Sequence, residues 1–295
     1  MSLHGIICIN KPTSHTSFDI VAIMRKVLNT KKIGHSGTLD PMAEGVLPVF
    51  VGNATKAIDF CPCNEKVYRA GFRLGMTTTT QDSTGEVLTQ ADCQHIRREN
   101  FIAATEQYIG EIEQLPPMYS AVKVKGKRLY DLARKGITVE RTPRKVTVHS
   151  IAIEEYDNGA GTLLIRCKKG TYIRTLIHDI GLALGVGAMM TTLVRTESNG
   201  FTLNDCYTLD QLRNAERPHE LLFPFERLFN CYPTLRLDER RSERFATGAK
   251  FDLVGIGYDR QYDGIFAVYN IRGNFVALGT VSDENLTIIQ RFAQK

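Results

Sequence analysis

Many of the short motifs by which proteins announce their chemistry are missing from this chain. No G-x-x-x-x-G-K-[ST] loop is present to cradle nucleotide phosphates, and no strand-loop-helix glycine fingerprint marks a dinucleotide site. H-E-x-x-H, G-x-S-x-G and an acidic calcium loop are absent, which sets aside the corresponding zinc, serine-hydrolase and calcium-binding classes. The zinc deaminase pattern, H-x-E with a later P-C-x-x-C, does not occur. Cys61-Pro62-Cys63 is a C-x-C pair without a second pair, so tetrahedral zinc would need distant ligands, and no histidines sit at metal-ligand spacing. The seven cysteines are odd in number and irregular in spacing, which implies reduced thiols in a cytoplasmic protein rather than a disulfide framework. No window approaches the roughly 18 apolar residues of a membrane span. The opening Met1-Ser2-Leu3-His4-Gly5 lacks a basic region followed by a long apolar stretch, so no secretory signal is expected.

What is present is an ordinary soluble composition with one localised bias. At 295 residues and 43% apolar content, a main body with a smaller second domain is the default expectation. The formal net charge is only +5, but residues 121–150 hold nine basic side chains (Lys123, Lys125, Lys127, Arg128, Arg134, Lys135, Arg141, Arg144, Lys145) against Asp131 and Glu140. A field focused on one segment suits a polyanion, because each neutralised phosphate releases counterions. Charge alone also fits a solvated basic face.

Periodicity orders the chain into alternating elements. Gly5–Asn10 reads as a strand closed by Lys11-Pro12. Ile20, Ile23, Met24, Val27 and Leu28 form one apolar face of a helix starting near Ser17. Residues 29–41 read as loop, 45–51 as a buried strand, 54–60 as a short helix and 66–74 as a strand. A long polar turn over 77–85 and a helix near 94–109 follow. Strands are expected at 145–154, 161–168 and 188–194, with a helix at 172–184. Interleaving without strict βαβ regularity predicts an α+β, mixed body. Past Cys231-Tyr232-Pro233, short apolar strands between glycines predict a small β-rich module, giving domains of 1–232 and 233–295.

Three segments carry candidate chemistry. In Gly34-His35-Ser36-Gly37-Thr38-Leu39-Asp40-Pro41, the glycines permit close backbone approach, and Pro41 restricts Asp40 to extended conformations. An ordinary Asp-Pro turn fits the same residues equally well. Tyr172 and Arg174 sit where Lys168-Lys169-Gly170-Thr171 leads into a helix, a place from which an arginine can pair with a buried carboxylate. Tyr68 is by default a half-buried packing residue, or else a platform for an extruded base.

In order, these pieces resemble the TruB type of bacterial tRNA pseudouridine synthase. The most specific match is Gly34 to Val49, continuing through Gly52-Asn53-Ala54-Thr55-Lys56. Gly5-Ile6-Ile7-Cys8-Ile9-Asn10-Lys11-Pro12, Lys66-Val67-Tyr68-Arg69-Ala70, Pro116 to Tyr130, Lys169 to Leu176 and Leu193-Val194-Arg195-Thr196 complete the set. The likeness covers residues 3 to 230, and the tail from about 234 to 293 resembles the small RNA-binding module called PUA. The catalytic positions show no departure, while Ser36 and Glu44 sit where relatives vary. The resemblance implies isomerisation of the T-loop uridine at position 55 of tRNA, without cofactor or metal; a monomer is the default expectation, since no extra apolar surface pattern demands a partner. It assigns Asp40 as the essential carboxylate, Tyr68 as the residue stacking on the base, and Arg174 as the partner of Asp40. It further implies that His35, Tyr172 and Leu193 line the substrate site above a loop holding Lys11 and Pro12. A basic insertion near 113–145, with Lys123, Lys125, Lys127 and Arg128, would grip the tRNA.

Overall fold

The structure is a computed structural model and describes residues 3–124, 126–258 and 263–292. A ten-stranded sheet forms the body. Its main path runs Cys206–Tyr207, Gly5–Lys11, Glu44–Val51, Ala188–Ser198, Glu65–Leu74, Ala160–Lys168, Arg144–Asp157, Gly110–Gln114. Pairing along this path is antiparallel except for Gly5–Lys11 with Cys206–Tyr207 and for Ala188–Ser198 with Glu44–Val51. A five-stranded sheet begins at Thr234–Leu237 and carries one helix, Glu239–Ala246. The α+β body with a β-rich, PUA-like C-terminal domain follows the expected class. Among the described residues no helix is long and apolar enough to cross a membrane.

Alternation decides which side chains reach the core. Along Glu65–Leu74, Tyr68, Ala70, Phe72 and Leu74 are buried on one face, while Arg69 and Arg73 are exposed on the other. Antiparallel register sets Leu193 opposite Ala70 and Arg195 opposite Tyr68. The apolar stripe of the Ile173–Ala183 helix (Ile173, Leu176, Ile177, Ile180) packs over this face. Each fully buried leucine or isoleucine there contributes about 1.5–3 kcal/mol.

The Ser17–Val27 helix begins where the apolar spacing places it. Thr16 accepts from the Asp19 amide at 3.1 Å and donates its own amide to Asp19 Oδ2 at 2.8 Å, a reciprocal cap worth about 1 kcal/mol. Buried Ser17 then fixes the next segment, accepting from the Leu39 amide at 2.9 Å and donating to the Leu39 carbonyl at 3.3 Å. The residue preceding Asp40 is therefore anchored to a helix start.

Three expected boundaries differ. The segment read as loop over 29–41 contains a strand, Ile33–His35, paired with Glu44–Val51; three residues centred on a glycine give no periodic signal. The polar run near 77–85 is a turn within a hairpin, Met76–Thr78 with Val87–Gln90. The helix read over 94–109 is shorter, Arg98–Glu106.

An aromatic seam joins the two sheets. Phe229 lies 5.6 Å, centroid to centroid, from both Phe275 and Phe292, and Phe225 lies 5.2 Å from Phe292. These belong to one apolar cluster with Ile6, Val46, Ala54 and Phe50 of the body.

Candidate active site

Asp40 follows the Ile33–His35 strand and precedes Glu44–Val51, with its carbonyl accepting from the Ala43 amide at 3.0 Å. Behind Pro41 the chain enters Glu44–Val51 through Gly45, at φ +105°. A Cβ at Gly45 would collide with the backbone of Arg195, so only glycine permits this approach of the two parallel strands. Pro41, Met42 and Leu193 help line a cleft of about 500 Å³ beside Asp40, together with Thr13, Ser14 and Ser83.

Arg174, on the first turn of its helix, reaches Asp40 with Nη2 at 3.4 Å from Oδ1 and 3.3 Å from Oδ2. The same nitrogen donates to the Tyr119 carbonyl, and Nη1 lies 3.8 Å from Asp82 Oδ2. Asp82 is itself fixed, with Oδ1 accepting from Thr80 Oγ1 and Thr84 Oγ1 at 2.6 Å and from the Thr84 amide at 3.0 Å. Side-chain exposure separates the two acids: 33% for Asp40 against 4% for Asp82. Asp40 is thus the carboxylate that solvent or a ligand can reach.

Burial raises the Asp40 carboxyl above its ordinary value; Arg174 opposes this, Asp82 reinforces it, and Lys11 opposes it. Pairing with Arg174 therefore orients Asp40 and offsets part of its desolvation, but the net direction is upward. The pairing expected between Arg174 and Asp40 is thus one contribution to the shift and not its sum.

Lys11 is fully buried, and its ammonium donates to the carbonyls of Pro12 at 2.8 Å and His15 at 2.7 Å. Burial lowers it to about 8 despite the attraction of Asp40. Its visible work is to brace the Pro12 loop. Tyr68 is buried rather than half-buried, with its hydroxyl shifted upward chiefly by burial. Leu39, Ala43 and Leu193 share its apolar cluster. His35 ends its strand half-buried, and burial followed by the charge of Arg195 lowers it below the ordinary imidazole value. Tyr172 precedes the Arg174 helix, and its backbone is clamped by buried Gln114, which accepts from the Tyr172 amide at 2.8 Å and donates to its carbonyl at 3.1 Å.

The basic segment forms a separate arm. Lys123, Lys127 and Arg128 are exposed on a two-stranded hairpin; Lys125 lies outside the described residues. Arg141 Nη1 ties the arm's far side to the Pro116 carbonyl at 2.9 Å, and Tyr119 links its near side to Arg174.

Residues 25–173 match the N-terminal domain of the TruB family pseudouridylate synthases, and residues 174–230 match the C-terminal domain of tRNA pseudouridylate synthase B. The chain belongs to the TruB family. It is 40% identical over 288 residues to the tRNA pseudouridine synthase B of Clostridium tetani, covering 98% of this chain and 99% of the relative. The tRNA pseudouridine synthase B of Bacillus pumilus is 42% identical over 256 residues, covering 84% and 83%. Among solved structures, a Cbf5-Nop10-Gar1 complex aligns with a TM-score of 0.73 and 28% identity, covering 98% of this chain and 85% of that one. An H/ACA RNP bound to a substrate RNA containing 2'-deoxyuridine aligns at 0.74 with 26% identity, over 98% and 85%. As a TruB-family member the chain is a pseudouridine synthase, an isomerase built on an RNA-modifying fold.

Within this TruB fold, the expected Asp40, Arg174, Tyr68, Leu193 and Lys11 converge, and Tyr172 sits two residues before Arg174. Sequence reasoning missed Asp82 and Gln114. Asp82 lies in the run Thr77-Thr78-Thr79-Thr80-Gln81-Asp82-Ser83-Thr84, whose hydroxyls were the available signal for a buried carboxylate needing donors. Gln114 gave none.

Proposed function

We propose that this chain converts the T-loop uridine at position 55 of tRNA to pseudouridine, with Asp40 acting on the ribose. The observation that carries this reading is a partly exposed carboxylate gripped by a buried arginine, beside a cleft that Leu193 lines and close to the apolar cluster that holds Tyr68. Pseudouridine formation breaks the bond from ribose C1' to N1 of uracil, turns the base, joins C1' to C5 and removes the C5 proton. Product and substrate are isomers, so the atoms balance without a redox partner or group donor.

Asp40 acts either by attacking C1' or by removing the C2' proton, and we favour proton removal with a glycal-like intermediate. Tyr68 holds the detached uracil by stacking, worth about 1–3 kcal/mol per base, without locking its in-plane rotation. Extruding the uridine costs on the order of a few kcal/mol. The arm with Lys123, Lys125, Lys127 and Arg128 offsets that cost by gripping the T-arm backbone, which it recognises by shape. His35 and Tyr172 hold neighbouring nucleotides, and the loop of Lys11 and Pro12 supports the site. We assign residues 1–232 to the catalytic domain and 233–295 to the PUA-like domain, in a monomeric cytoplasmic enzyme.

The deciding experiment incubates the protein with unmodified tRNA, and with a T-arm hairpin alone, in the absence of added cofactor. Pseudouridine mapped to position 55 in both RNAs is expected. A product at another position, or turnover by Asp40→Asn at the wild-type rate, sinks the reading. Deuterium at C2' tests the favoured route, which an unchanged rate under chemistry-limited conditions excludes.

A further inference from the structure

We propose that Lys66, Lys169 and Arg195 form an anion pocket that takes a backbone phosphate of the RNA next to the uridine at Asp40. The inference rests on the reading that RNA occupies the cleft. It starts from an imbalance of charge. Among the described residues none of the three forms an ion pair with a carboxylate, although two of them are substantially withdrawn from water. Burying cations without a counter-charge is costly, and a folded protein retains such an arrangement where something else supplies the anion.

The strands bring these cations together and keep acids away. Lys66 lies two residues before Tyr68, hence on the same face, and Arg195 is opposite Tyr68 in the adjoining strand. Lys169 follows the strand whose Cys167 pairs with Lys66, and its amide is held by the Asn64 carbonyl at 2.9 Å. Glu197 would fall on the face of Arg195 in a regular strand. A register shift between Arg195 and Glu197 instead sets Glu197 opposite Val67, on the other face, where it meets Arg166 at 3.4 Å. Glu65 is engaged there as well, by Arg166 at 3.2 Å and His149 at 3.6 Å. The bulge thus takes Glu197 off this face, and strand alternation keeps Glu65 off it.

The donors in the pocket are not consumed by the protein. Arg195 is fully buried; Nε donates to the Val46 carbonyl at 2.7 Å and Nη2 to the Gly37 carbonyl at 3.2 Å, the guanidinium faces the Tyr68 hydroxyl, and among the described residues Nη1 meets no carbonyl or carboxylate. His35 Nδ1, on the same loop as Gly37, is also buried without a hydrogen-bond partner. A Cβ at Gly37, which has φ +96°, would overlap Lys66 Nζ and lie 3.7 Å from Arg195 Nη1, so both cations border one point on the loop that carries Asp40. Burial, Arg195 and Lys169 lower Lys66 to about 8, with only Cys167 acting the other way. A phosphate oxygen would accept from Lys66 Nζ, with the charge of buried Arg195 behind it. Carried past Gly37, the RNA backbone would place such an oxygen there with its base toward Tyr68.

The test compares binding of T-arm hairpins bearing single neutral methylphosphonates at the linkages around the target uridine. One such linkage is expected to weaken wild-type binding about ten- to hundred-fold, the scale of one charged hydrogen bond. The same linkage should have no further effect on Lys66→Met. The slope of log affinity against log salt should fall by about 0.7 in Lys66→Met, and Lys66→Arg should restore it. If Lys66→Met melts like the wild type yet keeps its affinity and salt slope, the pocket assignment is overturned. Equal losses from every linkage in both proteins overturn it too, as does competition by inorganic phosphate with no linkage effect, which would assign the pocket to a free anion. The scan of linkages on wild type requires no variant to fold. A linkage effect without any pseudouridine formed would support the pocket while removing the proposed reaction.

Discussion

The two walls beside Asp40 are built on opposite electrical plans. On one wall a buried guanidinium, Arg174, faces two carboxylates and a carbonyl, those of Asp40, Asp82 and Tyr119, while its Nε has no partner among the described residues. On the other, Arg195 donates to two backbone carbonyls and stands close to Lys66, with no carboxylate paired to either cation among the described residues. The first wall holds its own counter-charges and serves to aim a carboxylate. The second is left open toward a group that the protein does not contain. A site handling a polyanion needs both, because an acid aimed at the ribose also repels the phosphates attached to it.

Breaking the first wall should give the largest effects. Asp40→Asn should lower turnover by at least about 10²–10⁴-fold, the range of positioned acid–base groups, with RNA binding kept. Its stability should behave in the opposite sense. Burial raises the Asp40 carboxyl, so its favourable contribution is complete below the ordinary value of 3.8 and is lost as pH rises through the raised one. Thermal melts should show the variant level with wild type near pH 3 and equal or more stable at pH 7; a lower melting point at pH 7 would contradict the direction assigned to Asp40. Activity should fall with acid from a pH above the usual carboxylate range.

Arg174→Met leaves Asp82, with 4% of its side chain exposed, without the cation that pairs with it among the described residues, and should cost about 3–5 kcal/mol in a denaturant titration. A loss under about 1 kcal/mol would mean that the threonine hydroxyls alone support Asp82. Tyr68→Leu keeps apolar volume but removes the stacking face, and should weaken handling of the target base by about 1–3 kcal/mol, read as a fall in kcat/KM. The smallest effect is expected at the edge of the first wall. Gln114→Ala removes both hydrogen bonds that hold Tyr172, costing about 1–3 kcal/mol of stability and raising KM more than it lowers kcat.

Elements with a long period were legible before any coordinates. The Ser17–Val27 helix, the Glu65–Leu74 strand and the strands on either side of residue 158 announce themselves through repeated apolar spacing. Ile33–His35 did not, since three residues show no alternation and this strand exists because Glu44–Val51 offers it an edge. The site divides in the same way. Asp40, Tyr68 and Arg174 stand in motifs dense enough to be matched to a family. Asp82 meets Arg174, and Gln114 meets Tyr172, across long stretches of chain; the threonines beside Asp82 hint at a held carboxylate but not at its cation, and nothing local marks Gln114. The sign of the Asp40 shift was likewise beyond reach, because it depends on how desolvation weighs against one arginine and a second acid.

The aromatic seam between Phe225, Phe229, Phe275 and Phe292 has a bearing on how the C-terminal domain should be studied. Cutting the chain near Pro233 would uncover rings that belong to the interior of the body. A shortened protein would then expose a greasy scar beside Ile6 and Phe50, and poor expression or clumping would follow whether or not the missing piece ever touches RNA. Point changes on the outer face of Glu239–Ala246, such as Arg240→Ser, would probe nucleic-acid contact while leaving that joint sealed.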